Sequence, residues 1–176
     1  MRLCFFRLII LFFPAEILDS CYHCNIMLNI FMIFLAKYLY LFVIFIAVLF
    51  VVKEKTRRMR ILIFSAVILP FIFIISQITG KIYYNPGPFV VERFIPLVAH
   101  GANNGFPSDH SLISFALASI IFLFNKKWGI VLFILSFLVG YSRVYVGIHH
   151  PIDILGSFLI SVIVTKICAT IASWKK

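Results

Sequence analysis

ILIFSAVILPFIFIISQITG, Ile61 to Gly80, runs twenty residues without a charged side chain. In a helix about 20 apolar residues match the roughly 30 Å hydrocarbon core of a bilayer. The stretch is therefore predicted to cross a membrane as an α-helix, and similar runs flank it. Ile26 to Val52 is long enough and carries one charge, Lys37. Ser111 to Phe124 is apolar after its first residue, and Trp128 to Tyr141 follows closely. Ile152 to Trp174 is interrupted by Lys166, whose stem can carry its ammonium to the interface. Ser111–Phe124 and Trp128–Tyr141 are short for spans and are expected to recruit flanking residues or to lie in a thin or tilted region. Upstream, Met1 to Phe13 is apolar with Arg2 and Arg7 and ends at Pro14. It reads as a short helix, an interfacial helix or an extension, without a clean signal-peptide cleavage site.

The composition agrees. The chain has 176 residues, 63% hydrophobic and 12% charged, with a net charge of +10. Soluble domains are about half apolar and about a quarter charged. A disordered chain is excluded, and a water-soluble domain of this length has too little interior for so much apolar surface. The positive charge invites a nucleic-acid reading, but its placement argues against one. Lys53 to Arg60 holds five basic residues, Asn125-Lys126-Lys127 forms the next basic loop two spans on, and Lys175 and Lys176 follow the last span. These segments alternate with loops 81–110 and 141–151. The positive-inside rule puts the basic set in the cytoplasm and the other two loops outside.

Four cysteines are present, and Cys21 and Cys24 form a C-x-x-C pair around His23. No second ligand pair stands at a matching distance, so neither a zinc site nor a disulfide framework is expected.

The side chains with chemistry gather in the outer loops. Lys81 and Pro86-Gly87-Pro88-Phe89 follow the second span, Pro107-Ser108-Asp109-His110 opens the third, and Ser142-Arg143 with His149, His150 and Asp153 lies between the fourth and fifth. Lys81 and Arg143 are cations suited to a phosphoryl group, and Ser108 adds a hydroxyl donor. Pro107 and Pro151 suit the first turns of helices whose free N–H groups attract anions. A helix starting near Pro151 lets Asp153 reach back to His149, fixing its tautomer and making the other nitrogen a better nucleophile. His110, on another helix, is free to protonate a leaving oxygen. Singly, each residue has a plainer reading. Ser108 or Asp109 caps a helix, Arg143 anchors at the interface, Asp153 complements a helix dipole, and His150 is a surface neighbour. Jointly, Pro-Ser-x-His followed by Ser-Arg-x5-His-x3-Asp on one membrane face points to phosphoryl transfer through a histidine, with no metal needed.

This pattern resembles the type-2 phosphatidic acid phosphatase superfamily. The Phe-Pro-Ser-Asp-His form (Phe106 to His110) and the stretch Asn29 to Lys37 are similar to the bacitracin-resistance-type undecaprenyl-diphosphate phosphatases of bacteria. The resemblance covers roughly residues 25–166 and implies a membrane lipid-phosphatase domain over 25–176, with 1–24 as a separate N-terminal segment. It implies His149 as nucleophile, Asp153 as its orienting residue, His110 as general acid, and Lys81, Ser108 and Arg143 as phosphate ligands, without a metal or other cofactor. It departs at Pro86-Gly87-Pro88-Phe89, where the family has Pro-Arg-Pro-Phe. Loss of such a contact costs on the order of 10²–10³-fold in rate, and Arg93, six residues on, is the candidate replacement.

The expectation is an all-α polytopic transmembrane bundle of five to six spans with its active site at the outer face of a bacterial cytoplasmic membrane. Its substrate would be a polyprenyl diphosphate and its surroundings membrane lipids, with no nucleic-acid partner. The expected activity recycles the cell-wall lipid carrier and confers bacitracin resistance. The alternatives are a phosphatase for phosphatidic acid, phosphatidylglycerophosphate or lipid A, or a weak or non-catalytic lipid-phosphate binder owing to Gly87.

Overall fold

A computed structural model of the chain describes the backbone of residues 15–172 and the side chains of residues 26–172. The expectation for residues 1–14 and the Cys21–Cys24 pair lie outside what is described. Six helices follow in order: α1 (Ala15–Lys53), α2 (Arg58–Ile82), the single turn α3 (Pro88–Val91), α4 (Asp109–Phe124), α5 (Lys126–Tyr145) and α6 (Pro151–Ile171). Residues 15–24 belong to the same continuous helix as the first apolar run.

Four of the described helices are long and apolar enough to cross a membrane: Ile26–Lys53 within α1, then α2, α5 and α6. The protein is an all-helical, multi-pass membrane protein. Its outward faces carry large apolar side chains such as Ile30, Phe45, Val67, Phe73, Ile134 and Leu159, each more than half exposed. Only hydrocarbon is a favourable solvent for such a surface.

α4 is the exception in length, at 16 residues. At 1.5 Å per residue that is about 24 Å, short of a bilayer core. It is also the central helix, packed against α1, α2, α5 and α6. Its Ser111, Leu112, Ser114, Phe115, Ala116 and Ala118 are all buried. Protein covers most of its surface, leaving Ile113 and Leu123 exposed, so bilayer thickness constrains its length less than that of the outer helices. The Phe115 ring anchors the contact, meeting Phe137 and Phe158 edge-on at centroid distances of 4.9 and 5.3 Å. Small hydroxyl residues let the helices approach closely and bond across. Ser161 on α6 donates to the Leu112 carbonyl on α4 at 3.1 Å.

Chain direction puts the three chemical segments together. α1 and α2 meet at the basic turn around residues 54–57, where Arg57 donates to the Phe124 carbonyl at the far end of α4. The loops 83–108 and 146–150 therefore both emerge at the opposite end of the bundle. There, Tyr145 donates to Asn29 on α1 at 2.9 Å.

Candidate active site

The α5–α6 connection supplies the centre. α5 stops at Tyr145, and Gly147 takes a φ of 84°, a left-handed turn that L side chains resist. The chain then re-enters the bundle with Ile148 and His149 both buried. Pro151 opens α6 at its first position, as its missing N–H permits. Asp153, in the first turn, accepts the His150 backbone N–H on Oδ2 at 2.8 Å. The carboxylate is fully buried, and Asn85 donates to its Oδ1 at 2.7 Å.

His149 is held on both ring nitrogens. Its Nδ1 lies 3.0 Å from the Gly105 carbonyl oxygen and 3.4 Å from Asp153 Oδ2. Its Nε2 lies 3.3 Å from Arg143 Nη2. A guanidinium only donates, so Nε2 presents a lone pair and Nδ1 carries the proton. Arg143, 5% exposed, is itself anchored through Nη1 to the Ala36 carbonyl of α1 at 3.2 Å, while its Nε is buried without a hydrogen-bond partner among the described residues.

Ser108 and His110 arrive on the start of α4. Ser108 occupies the N-cap position, yet its hydroxyl makes no capping bond and is buried without a hydrogen-bond partner among the described residues. Capping does not account for this hydroxyl. Its backbone N–H donates to the Asp153 carbonyl at 3.4 Å, and the Ser157 hydroxyl lies 3.0 Å from the Ser108 carbonyl, tying α4 to α6. Pro107 precedes the N-cap rather than entering the first turn, because the helix begins only at Asp109. His110 packs edge-on against Tyr40 at 4.3 Å and lies within electrostatic range of Arg143, His149 and His100. A groove of about 360 Å³, lined by Tyr40, Ile72, Phe73, Leu112 and Ala116, runs from His110 between α1, α2 and α4.

Asn104 staples the loops in place. Its Oδ1 accepts the backbone N–H groups of Asn85 and Phe106 at 2.8 and 3.1 Å, and its Nδ2 donates to the Gly80 carbonyl at 2.6 Å. Gly105 then donates to the Asn85 carbonyl at 2.8 Å. A Cβ on Gly105 would stand 3.1 Å from Asp153 Oδ2 and 3.5 Å from His149 Nδ1, so a side chain there would crowd the carboxylate by a few tenths of an ångström. His100, in the same loop, places its ring 5.5 Å from that of His149 and 6.2 Å from that of Phe89. Burial, then the nearby His149 and Arg143, hold the His100 imidazole below its ordinary pKa, with Asp109 opposing.

The structure thus gathers His149, Asp153, Arg143, Ser108 and His110 at one end of the bundle. It does not connect the other two candidates to them. Lys81, in the last turn of α2, is exposed and makes no hydrogen bond or ion pair among the described residues. Arg93 is exposed, with a φ of 53°, and is likewise unbonded among the described residues. Gly87 is buried. A Cβ there would meet Phe89 Cε1 at 2.6 Å and the Ile148 carbonyl at 3.0 Å, so the aromatic ring fills the space beside it. Sequence reasoning missed Asn85, Gly105 and His100, because a loop asparagine, glycine or lone histidine carries no periodic signal.

A buried histidine poised between a carboxylate and a guanidinium, at the same end of the bundle as an unsatisfied hydroxyl on a helix start, defines a helical membrane protein built to receive an anionic group. The chain belongs to the PAP2 superfamily, whose family model matches residues 60–176. It is 33% identical over 138 residues to the bacitracin transport permease protein BcrC of Bacillus licheniformis, covering 78% of this chain and 68% of that one. To the undecaprenyl-diphosphatase BcrC of Bacillus subtilis it is 29% identical over 142 residues, covering 81% and 74%. The fold is like the crystal structure of Aquifex aeolicus LpxE, with a TM-score of 0.62 at 22% identity over 82% of this chain and 86% of that one. The protein is a membrane phosphatase of this superfamily.

Proposed function

We propose that the chain hydrolyses undecaprenyl diphosphate to undecaprenyl phosphate and inorganic phosphate through a phosphohistidine. The observation that carries the mechanism is the double hold on His149, with a proton acceptor at Nδ1 and Arg143 at Nε2. With the substrate in place, the guanidinium moves from the nitrogen to the phosphoryl oxygens. Nε2 attacks the terminal phosphorus, a P–N bond forms, and the bond to the bridging oxygen breaks. His110 gives its proton to that oxygen. His110 then takes a proton from water, whose oxygen attacks phosphorus and releases phosphate with restoration of His149. Arg143, the Ser108 hydroxyl and the α4 N-terminus stabilise the developing charge. These groups supply the charge that a metal would otherwise provide.

The substrate assignment rests on the undecaprenyl-diphosphatase relative from Bacillus subtilis and on the groove leading from His110, whose apolar lining suits a polyprenyl chain. Lys53, Lys55 and the basic turn beyond them mark the cytoplasmic end, so the site faces outward from the bacterial cytoplasmic membrane. Residues 25–176 form the phosphatase domain, and its activity recycles the cell-wall lipid carrier and raises bacitracin tolerance. Phosphate release from undecaprenyl diphosphate by the purified protein in detergent, with and without a chelator, tests the reading. Turnover that survives the chelator supports it. Equal rates on phosphatidic acid, phosphatidylglycerophosphate and lipid A would defeat the polyprenyl assignment.

A further inference from the structure

We infer that His100 is a substrate-binding residue, contacting the phosphoryl oxygens of the lipid phosphate held over His149 in place of the arginine absent at position 87. The inference rests on the phosphatase reading above and adds a residue outside the recognised motifs.

Three observations carry it. First, position 87 has no side chain, and the Phe89 ring occupies the adjoining space. Second, that same ring faces His100 at 6.2 Å, edge to face, so the Phe89 wall that closes one position also backs the other. Third, the His100 ring lies 5.5 Å from the His149 ring at a tilt of 60°. A phosphoryl group on an imidazole nitrogen extends about 3–4 Å beyond the ring centre by ordinary bond lengths, within hydrogen-bond reach of a neighbouring ring at this distance. The His100 nitrogens make no hydrogen bond among the described residues, so they are available to a ligand. Asp109, Arg143, His110 and His149 are the charged or titratable groups around it. Arg93, the replacement suggested by sequence spacing, has no comparable contact.

The test compares wild type, His100→Ala, His100→Asn and Arg93→Ala in detergent. For His100→Ala, kcat/KM on undecaprenyl diphosphate is expected to fall about 10–100-fold, the worth of one hydrogen bond to a charged group. His100→Asn, which keeps an N–H donor, is expected to recover part of the loss. A loss in Arg93→Ala with none in His100→Ala overturns the inference, as does an asparagine variant no better than alanine. Binding of inorganic phosphate, read by calorimetry, requires no turnover. Weaker binding by the His100→Ala protein supports the inference even if the wild type hydrolyses nothing, a result that would strike only the catalytic reading. Equal binding overturns it.

Discussion

Arg143 Nη2 stands 3.3 Å from Nε2 of His149, and this contact decides the chemistry of the imidazole. The guanidinium cannot accept, so the nitrogen it faces keeps its lone pair. In the proposed reaction phosphorus approaches the nitrogen that Arg143 now faces, and the guanidinium Nε, unpartnered among the described residues, is one more donor for the phosphoryl oxygens. The same relationship makes the site's residues separable by experiment.

Replacing His149 with alanine removes the proposed nucleophile. Phosphate release is expected to fall by more than about 10³-fold, as removal of a covalent nucleophile does elsewhere. No ³²P label should be trapped on the protein after acid quench of a reaction with labelled substrate. Unaltered turnover in this variant would rule out the covalent route.

Asp153→Asn is expected to cost both rate and stability. The Gly105 carbonyl still accepts from Nδ1, so the rate loss should stay near 10²-fold, below the roughly 10⁴-fold of a dyad with a single acceptor. Asp153 accepts from both Asn85 and the His150 N–H, and an amide satisfies only one of them. A buried donor left unpaired costs about 1–3 kcal/mol, which thermal unfolding in detergent can read.

Ser108→Ala separates function from folding. The hydroxyl is buried and has no hydrogen-bond partner among the described residues, so its removal should leave the melting temperature unchanged or slightly raised. Activity should still drop by roughly 10-fold or more if the hydroxyl serves the phosphoryl group. Parallel losses of stability and activity would assign Ser108 a structural part instead.

His110→Ala should discriminate by leaving group. Loss of a general acid costs about 10²–10⁴-fold where the departing oxygen is a poor leaving group. On an aryl phosphate with an acidic phenol the same variant should lose far less. Equal losses on both substrates would place His110 outside the proton transfer.

Gly105→Ala tests the loop's part in the site. The added methyl would crowd the Asp153 carboxylate and the Asn85 carbonyl, each at 3.1 Å, and shift the carboxylate and the Gly105 carbonyl relative to the imidazole. Turnover is expected to fall while the helical content measured by circular dichroism stays constant. An undiminished rate would mean the loop tolerates the displacement.

What the sequence determined by itself is what repeats along the chain or acts through near neighbours. Apolar runs about the length of a bilayer dictate helices. The three-residue step from His150 to Asp153 closes a helix start whatever surrounds it. Only the tertiary structure decided the rest, because it depends on contacts between segments distant in the chain. Gly105 meets His149 across 44 positions, Asn85 meets Asp153 across 68, and Arg143 meets Ala36 across 107. Such pairings are set by how α1, α2 and the outer loops pack around α4, and no spacing rule encodes them. Arg93 illustrates the difference: six positions from Gly87 it looks like a substitute, but nothing in the packing ties it to the site. His100, thirteen positions away, lies beside His149 because the loop folds back over it.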